Sequence, residues 1–286
     1  MPSLFDRQVR VTVNALPPEG ETVAQAFQWT DHRIAFTVDQ TKRGTPNDAQ
    51  IQIFNVSPSR AKFIRNYGDR VTLEAGHRVR TGGLFLGDIR RVEVTHKLPD
   101  RIIKIAAGDG ERSFVSNRVN ITLAPGATIA DALTELSSAL ALELAPVPSN
   151  VDTSKVFLSG LTMSGPAWRY VEQLVDQAGG EASIQDGVIQ VLRDGSPTPE
   201  LAVEVTSDTN LIGSPKLMLK SKKGRERVVG IGFRVILEPG LRPGRSIRLR
   251  SREFDGIYVC ERVRHIGDSG FEDEFYSEVS ARELGD

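Results

Sequence analysis

Ser59 and Lys62 stand three apart in Ser59-Arg60-Ala61-Lys62, the S-x-x-K spacing by which a lysine can activate a serine hydroxyl for acyl transfer. Neither S-D-N nor K-T-G accompanies the pair, and the segment reads as a helix following "NVSP". A solvated helix face is therefore the favoured reading, with a cell-envelope hydrolase using Ser59 and Lys62 as the alternative. The four histidines, His32, His77, His96 and His265, show no H-E-x-x-H or other paired ligand spacing. His96 and His265 each fall near the end of a long strand, where a hydrogen-bonded role is expected. Cys260 lies five residues before His265 on one strand; strict alternation puts the two on opposite faces and rules out a local thiol–imidazole pair. Cys260 then reads as a small core residue.

Gly230-Ile231-Gly232 begins a G-x-G-x-x-G pattern, but Val235 replaces the last glycine and the segment continues as strand where a dinucleotide site needs a helix. Glu272, Asp273, Glu274 and Glu278 could together meet a cation, although a charged loop entering the final strand accounts for them. The most concentrated charge is the run Lys216, Lys220, Lys222, Lys223, Arg225 and Arg227. It reads as a hairpin with an exposed tip around Ser221–Gly224, able to contact an acidic protein or DNA. A nucleic-acid-binding module is thus a second alternative, but the aromatic interleaving of a single-strand groove is missing.

The whole chain does not support strong polyanion binding: 36 Lys+Arg stand against 37 Asp+Glu, a formal net charge of -1 over 286 residues. A single cysteine excludes an intramolecular disulfide and a cysteine-based zinc site, and suits assembly in a reducing cytoplasm. No cofactor or metal is implied. No apolar run approaches the ~20 residues of a membrane helix, so no membrane insertion is expected.

The elements that must hold these residues are mostly strands. Val9–Val13, Arg33–Val38, Ala49–Val56, Arg70–Gly76, Gly83–His96 and Arg101–Asp109 alternate or run apolar between turn residues. One helix interrupts, opening at Ser57-Pro58, with Ala61 and Ile64 inward and Gly68 as its end. After Leu123 the pattern changes. Thr128 and Asp131 form a capping box ahead of Ile129, Leu133, Leu136 and Leu140, and a second helix opens at Pro166 with Trp168, Val171 and Val175 on one face. A hairpin turning at Asp186-Gly187 follows. Past the connector Ser196–Glu200 strands return. The predicted fold is mainly β with an α+β insert: two similar β-barrel modules, 1–120 and 196–286, flanking an α+β middle region, 121–195, with first-module strands able to complete the second.

The similarity of the ends is specific in pattern. Gly68-Asp69-Arg70-Val71-Thr72-Leu73 matches Gly244-Arg245-Ser246-Ile247-Arg248-Leu249, and Gly83–Asp88 matches Gly256–Glu261. Both are glycine turn, alternating strand, short loop, glycine, long strand. The arginine-rich stretch Pro239–Ser251 is thereby first a piece of scaffold, with Ile247 and Leu249 inward and Arg248 and Arg250 outward.

At this point the residues resemble a known family. "IQIFNVSPSRAKFIRNYGDRVTLEAG" with "GLFLGDIRRVEVTHKLPDRIIKIAAGDG" is similar to the N-terminal part of phage tail baseplate hub proteins, of the late control protein D kind. "GFRVILEPGLRPGRSIRLRSREFDGIYVCERVRHIGD" is similar to their C-terminal part, and "LSGLTMSGPAWRYVEQLVDQAGGEASIQDGVIQVL" fits between. The resemblance implies a non-enzymatic structural virion protein of a tail or contractile injection system. It implies a homotrimer that joins the sixfold tail tube to the threefold central spike and forms part of the channel for genome ejection. Implied partners are the tube or tube-initiator protein, the spike protein, the tape measure protein and baseplate wedge or sheath-side proteins, with DNA only in transit. The implied location is the tail baseplate of the virion, after synthesis in the host cytoplasm. Two like modules in each of three chains would present six similar wedges to a hexameric ring.

Overall fold

The computed structural model describes residues 6–19, 22–42, 46–78, 80–97, 99–110, 117–221, 227–270 and 274–284. In chain order the first elements are β1 (Arg7–Ala15), β2 (Gln25–Trp29), β3 (Ile34–Thr41) and β4 (Asp48–Phe54). Helix α1 (Pro58–Tyr67), β5 (Gly68–His77), β6 (Arg80–Lys97) and β7 (Asp100–Gly108) follow. The middle holds β8 (Arg118–Leu123), α2 (Ile129–Leu140), β9 (Glu143–Leu144), β10 (Leu161–Pro166), α3 (Ala167–Gln177), β11 (Glu181–Gln185) and β12 (Val188–Leu192). The last part is strand throughout: β13 (Val203–Thr206), β14 (Leu211–Ser221), β15 (Arg227–Ile236), β16 (Ser246–Arg250), β17 (Asp255–Asp268) and β18 (Phe275–Glu283).

The chain forms two compact units. One comprises Met1–Thr41, Asp48–Gly108 and Pro197–Asp286; the other comprises Lys42–Asn47 and Asp109–Ser196. The first is a 13-stranded sheet in the order β14-β15-β18-β17-β3-β4-β7-β6-β5-β1-β2, with β16 pairing β17 and β13 pairing β16. The two β-rich ends of the chain are therefore joined in one sheet, through antiparallel β3 and β17 from Thr41 opposite Arg262 to Ala35 opposite Asp268. The sheet unit holds two apolar clusters, the first of which also takes in Leu237 and Phe275 from the C-terminal end. Val11, Val13, Ile51, Ile53, Leu73, Ile103 and Ile105 belong to one. Val205, Val235, Ile247, Leu249, Cys260 and Val263 belong to the other. β3 alternates throughout, burying Ile34, Phe36 and Val38 in the first cluster and leaving its other face half-exposed.

Helix α1 caps the first cluster with only Ala61 and Ile64 buried. Its C-cap position admits only glycine, because a β-carbon on Gly68 would lie 2.5 Å from the Ile64 carbonyl oxygen.

The second unit is α+β, with sheet β11-β12-β9 and the antiparallel pair β10–β8. The capping box opening α2 has both halves: the Asp131 amide donates to Thr128 Oγ1 at 3.2 Å, and the Thr128 amide donates to Asp131 Oδ2 at 2.8 Å. Helix α3 buries Ala167, Trp168, Val171, Leu174 and Val175 against Leu133 and Leu136 of α2 and Ile184 and Ile189 of the hairpin. The β11–β12 turn has Asp186 at φ 53 and Gly187 at φ 82, the paired left-handed residues of a type I′ turn.

Candidate assembly surface

Both hairpins that match in sequence are formed. β5 pairs antiparallel with β6, and β16 pairs antiparallel with β17. Val71 and Leu73 of the first and Ile247 and Leu249 of the second are all fully buried. The registers are not identical. Val71 stands opposite Gly87, whereas its counterpart Ile247 stands opposite Tyr258, two positions short of the Cys260 that equivalence demands. A shift of two residues preserves which side chains face the core, so both hairpins keep the same inward pattern.

Polar contacts tie the two ends where β3 meets β17. Asp39 holds the Arg262 guanidinium through two hydrogen bonds. Arg33 grips Asp268, with Nη2 to Oδ2 at 2.8 Å. Arg242 donates to the Gly83 carbonyl at 2.7 Å. The other arginines of Pro239–Ser251 are also engaged: Arg245 with Glu200 at 3.2 Å, Arg248 with Asp255 at 3.0 Å and Arg250 with Glu204 at 3.9 Å. This stretch holds strands together and offers no free cationic row.

Of the basic run, Lys216 and Lys220 lie on β14 and Arg227 opens β15, with Lys220 opposite Val228 and Ser221 opposite Arg227. Lys216 is exposed on β14. Lys220 and Arg227 occupy strand positions, while Lys222, Lys223 and Arg225 lie outside the described residues. β14 ends the sheet and displays Leu217 at 62 %, Ile212 at 42 % and Met218 at 36 % exposure. An open cleft of about 650 Å³ runs beside it, lined by Ile212, Lys216, Leu217, Met218, Phe233 and Glu278. Exposed aliphatic side chains on a sheet edge mark a surface suited to protein contact.

The residues considered for catalysis are placed otherwise. Ser59 and Lys62 are both exposed on α1, and Ser59 Oγ shares a hydrogen bond with Ser57 Oγ at 3.3 Å. An acyl-transfer lysine needs desolvation to act as a base, and this face provides none. His96 is exposed and accepts from Arg101 Nε at 3.2 Å. His265 is fully buried, with Nδ1 2.8 Å from Ser277 Oγ. Burial, followed by the nearby Arg242 charge, pushes its pKa down to about 3, against a smaller opposing effect of the Leu241 backbone. Burial and Arg7 also lower the pKa of His77. Cys260 is buried, but the opposite-face argument fails. A bulge between Cys260 and Arg262 resets the alternation, so Cys260, Val263 and His265 stand opposite Ala281, Val279 and Ser277 on one face. At about 3.3 Å per residue the thiol and imidazole remain well over hydrogen-bond distance apart, with Val263 between them.

Gly230 and Gly232 lie within β15. Of the carboxylate cluster, Glu278 pairs with Arg234 at 2.7 Å, Glu274 lies just before β18, and Glu272 and Asp273 lie outside the described residues. Among the described residues no group of three or more His, Cys, Asp or Glu side chains is arranged to hold a metal ion. No helix among them is long and apolar enough to cross a membrane.

One polar group escaped sequence reasoning. Asp109, 1 % exposed, accepts from the Asp186 amide at 2.5 Å, the Gly187 amide at 2.9 Å and Asn47 Nδ2 at 3.4 Å. Burial, then the Asp186 charge, raises its pKa to about 7 despite those three donors. It fastens the β11–β12 turn and Asn47 within the second unit. Its position at the end of a strand carried no signal of that role.

No family model matches the chain, and no curated protein matches it in sequence. Solved structures do. A tail protein from Neisseria meningitidis MC58 superposes with a TM-score of 0.65 at 11% identity, covering 97% of each chain. The 43 kDa tail protein of prophage MuSo2 from Shewanella oneidensis gives 0.66 at 7% identity, over 98% of this chain and 99% of that one. An Escherichia coli component of the type VI secretion system, itself structurally similar to T4 bacteriophage tail proteins, gives 0.60 at 11% identity over 89% and 74%. Over nearly its whole length, then, the chain has the fold of phage tail proteins and of a related component of the type VI secretion system.

Proposed function

We propose that this protein is a structural component of a phage tail or a related injection machine, located in the baseplate. In this reading three copies form the hub that joins a sixfold tube to a threefold spike and surrounds part of the channel. The supporting observation is one sheet that contains two apolar clusters and two hairpins of similar inward pattern, β5–β6 and β16–β17. The division into modules 1–120 and 196–286 around a middle region 121–195 belongs to this proposal. Six similar wedges from three chains give a hexameric ring near-equivalent contacts, which one module per chain would not.

The role is one of assembly rather than catalysis. Partners are the tube or tube-initiator protein, the spike protein, the tape measure protein and the surrounding baseplate proteins, with DNA passing only in transit. The basic β14–β15 hairpin serves as a contact surface. Light scattering of the purified chain is expected to give the mass of three copies, and imaging of an intact tail tip to place it on the threefold axis between tube and spike. A stable monomer that is absent from particles overturns the reading.

A further inference from the structure

The strand order of the sheet contains a repeat. It runs β3-β4-β7-β6-β5 in one half and β14-β15-β18-β17-β16 in the other, the same path through successive strands, with every neighbouring pair antiparallel. The ladders match residue by residue. β6 bulges between Ile89 and Arg91, and β17 bulges between Cys260 and Arg262. Aligned on these bulges, Glu93 and Val94 take the places of Arg264 and His265, and Val71 opposite Gly87 takes that of Ile247 opposite Tyr258. Further along, Ala49 opposite Ala107 corresponds to Ile231 opposite Ala281, and Val38 opposite Ala49 corresponds to Leu217 opposite Ile231.

One junction of this repeat is made and its counterpart is open. β17 pairs β16 over residues 255–259 and, past its bulge, pairs β3 over Arg262–Asp268. β6 pairs β5 over Arg80–Asp88 and, past its bulge, has only β7 beside it among the described residues. β3 lies between β4 and β17, whereas its counterpart β14 has only β15. We infer that β14 of one copy fills the open half of β6 in the next, repeating between chains the contact that β3 makes with β17 within a chain. This rests on the three-copy reading above and names the surfaces that carry it.

The made junction dictates the register of the open one. Within the chain Asp39 stands opposite Arg264, and Val38 opposite His265. Carried over, Met218 stands opposite Glu93, Leu217 opposite Val94 and Lys216 opposite Thr95. Val38 is fully buried, while Leu217 in the corresponding place is 62 % exposed. Val94 is half-buried against the first apolar cluster, so the new junction sets an aliphatic side chain against each of these two. Lys216 then lies diagonally across from Glu93 on the polar face of the sheet. The guards of a free edge fall outside the pairing. Pro215 belongs to the irregular stretch between Ile212 and Lys216, and Lys216 takes the place of Thr37, whose side chain leaves the sheet on the half-exposed face. The contact uses different surfaces on the two copies, as a closed ring requires, and made and new junctions alternate around it. The occupant of β6 is thus β14 of a second copy, because the chain already holds the same strand pair within itself.

The test uses the full chain. Leu217→Cys combined with Val94→Cys, and Met218→Cys combined with Glu93→Cys, place cysteines directly opposite one another across the junction. Of two adjacent positions in an antiparallel ladder, one is the closer, non-hydrogen-bonded kind, within reach of a disulfide. Oxidation is expected to give linked dimers and trimers on a denaturing gel from at least one pair, and from none of the four single variants. Leu217→Lys is expected to weaken the trimer by about tenfold or more, read as a mass shift on dilution with an unchanged circular dichroism spectrum. If the unmodified chain is trimeric, neither pair cross-links and Leu217→Lys stays trimeric, the junction is wrong and the three-copy reading stands. If the unmodified chain is monomeric, the three-copy reading fails and this inference falls with it.

Discussion

Asp109 and His265 are both buried ionisable groups, and their environments act on stability with opposite signs. Asp109 has its pKa raised from 3.8 to about 7 in the folded chain. Between those values the folded state binds more protons than the unfolded state, so this group's contribution is complete below pH ~4 and lost as pH rises to ~7. The shift corresponds to about 4 kcal/mol at most. Chemical unfolding of the second unit is therefore expected to show falling stability between pH 4 and 7, with the slope largely removed in Asp109→Asn; an unchanged slope refutes the assignment. His265 behaves in reverse. Its pKa is lowered to about 3, so its contribution is complete above pH ~6.5 and lost as pH falls toward 3. The β-sheet unit should thus lose stability on acidification over the range where the second unit gains it.

At the scale of elements, local chemistry accounts for most boundaries. Thr128 holds the first turn of α2 through a reciprocal cap with Asp131. Thr128→Ala is expected to cost about 1 kcal/mol in the second unit, measured by urea unfolding followed at Trp168. Asp131→Asn should cost less, because an amide oxygen still accepts from the Thr128 amide. The same local logic made the Asp186-Gly187 turn readable, since both residues must take positive φ. It failed for β2, whose Gln25-Ala26-Phe27-Gln28-Trp29 has too weak an alternation to be recognised before β1 is seen beside it. It failed again at the Cys260–Arg262 bulge, because one inserted residue reverses every face assignment beyond it and leaves no mark in composition.

At the scale of the molecule, each compact unit has cores of its own. Leu133 is 1 % exposed in the helical unit, among Ile129, Leu136, Val171 and Val175. Leu133→Ala is expected to destabilise by roughly 2–5 kcal/mol. Hydrogen exchange should register the loss at α2 and α3 and leave β4, β5 and β7 protected, since their apolar cluster shares no residue with that one. Equal loss of protection in all elements would contradict the independence of the cores.

What the chain alone determined was the mainly β character, the helices with their caps and the likeness of its two ends, because each depends on spacing within a few tens of residues. The tertiary structure decided that β3 and β17, more than two hundred residues apart, join the ends into one sheet. It also decided that Lys42–Asn47 packs with Asp109–Ser196, and that the register of the second hairpin is offset by two. Strand pairing is selected by the face a neighbour leaves uncovered and by the bulges along it, and neither property belongs to a strand until its partner is in place.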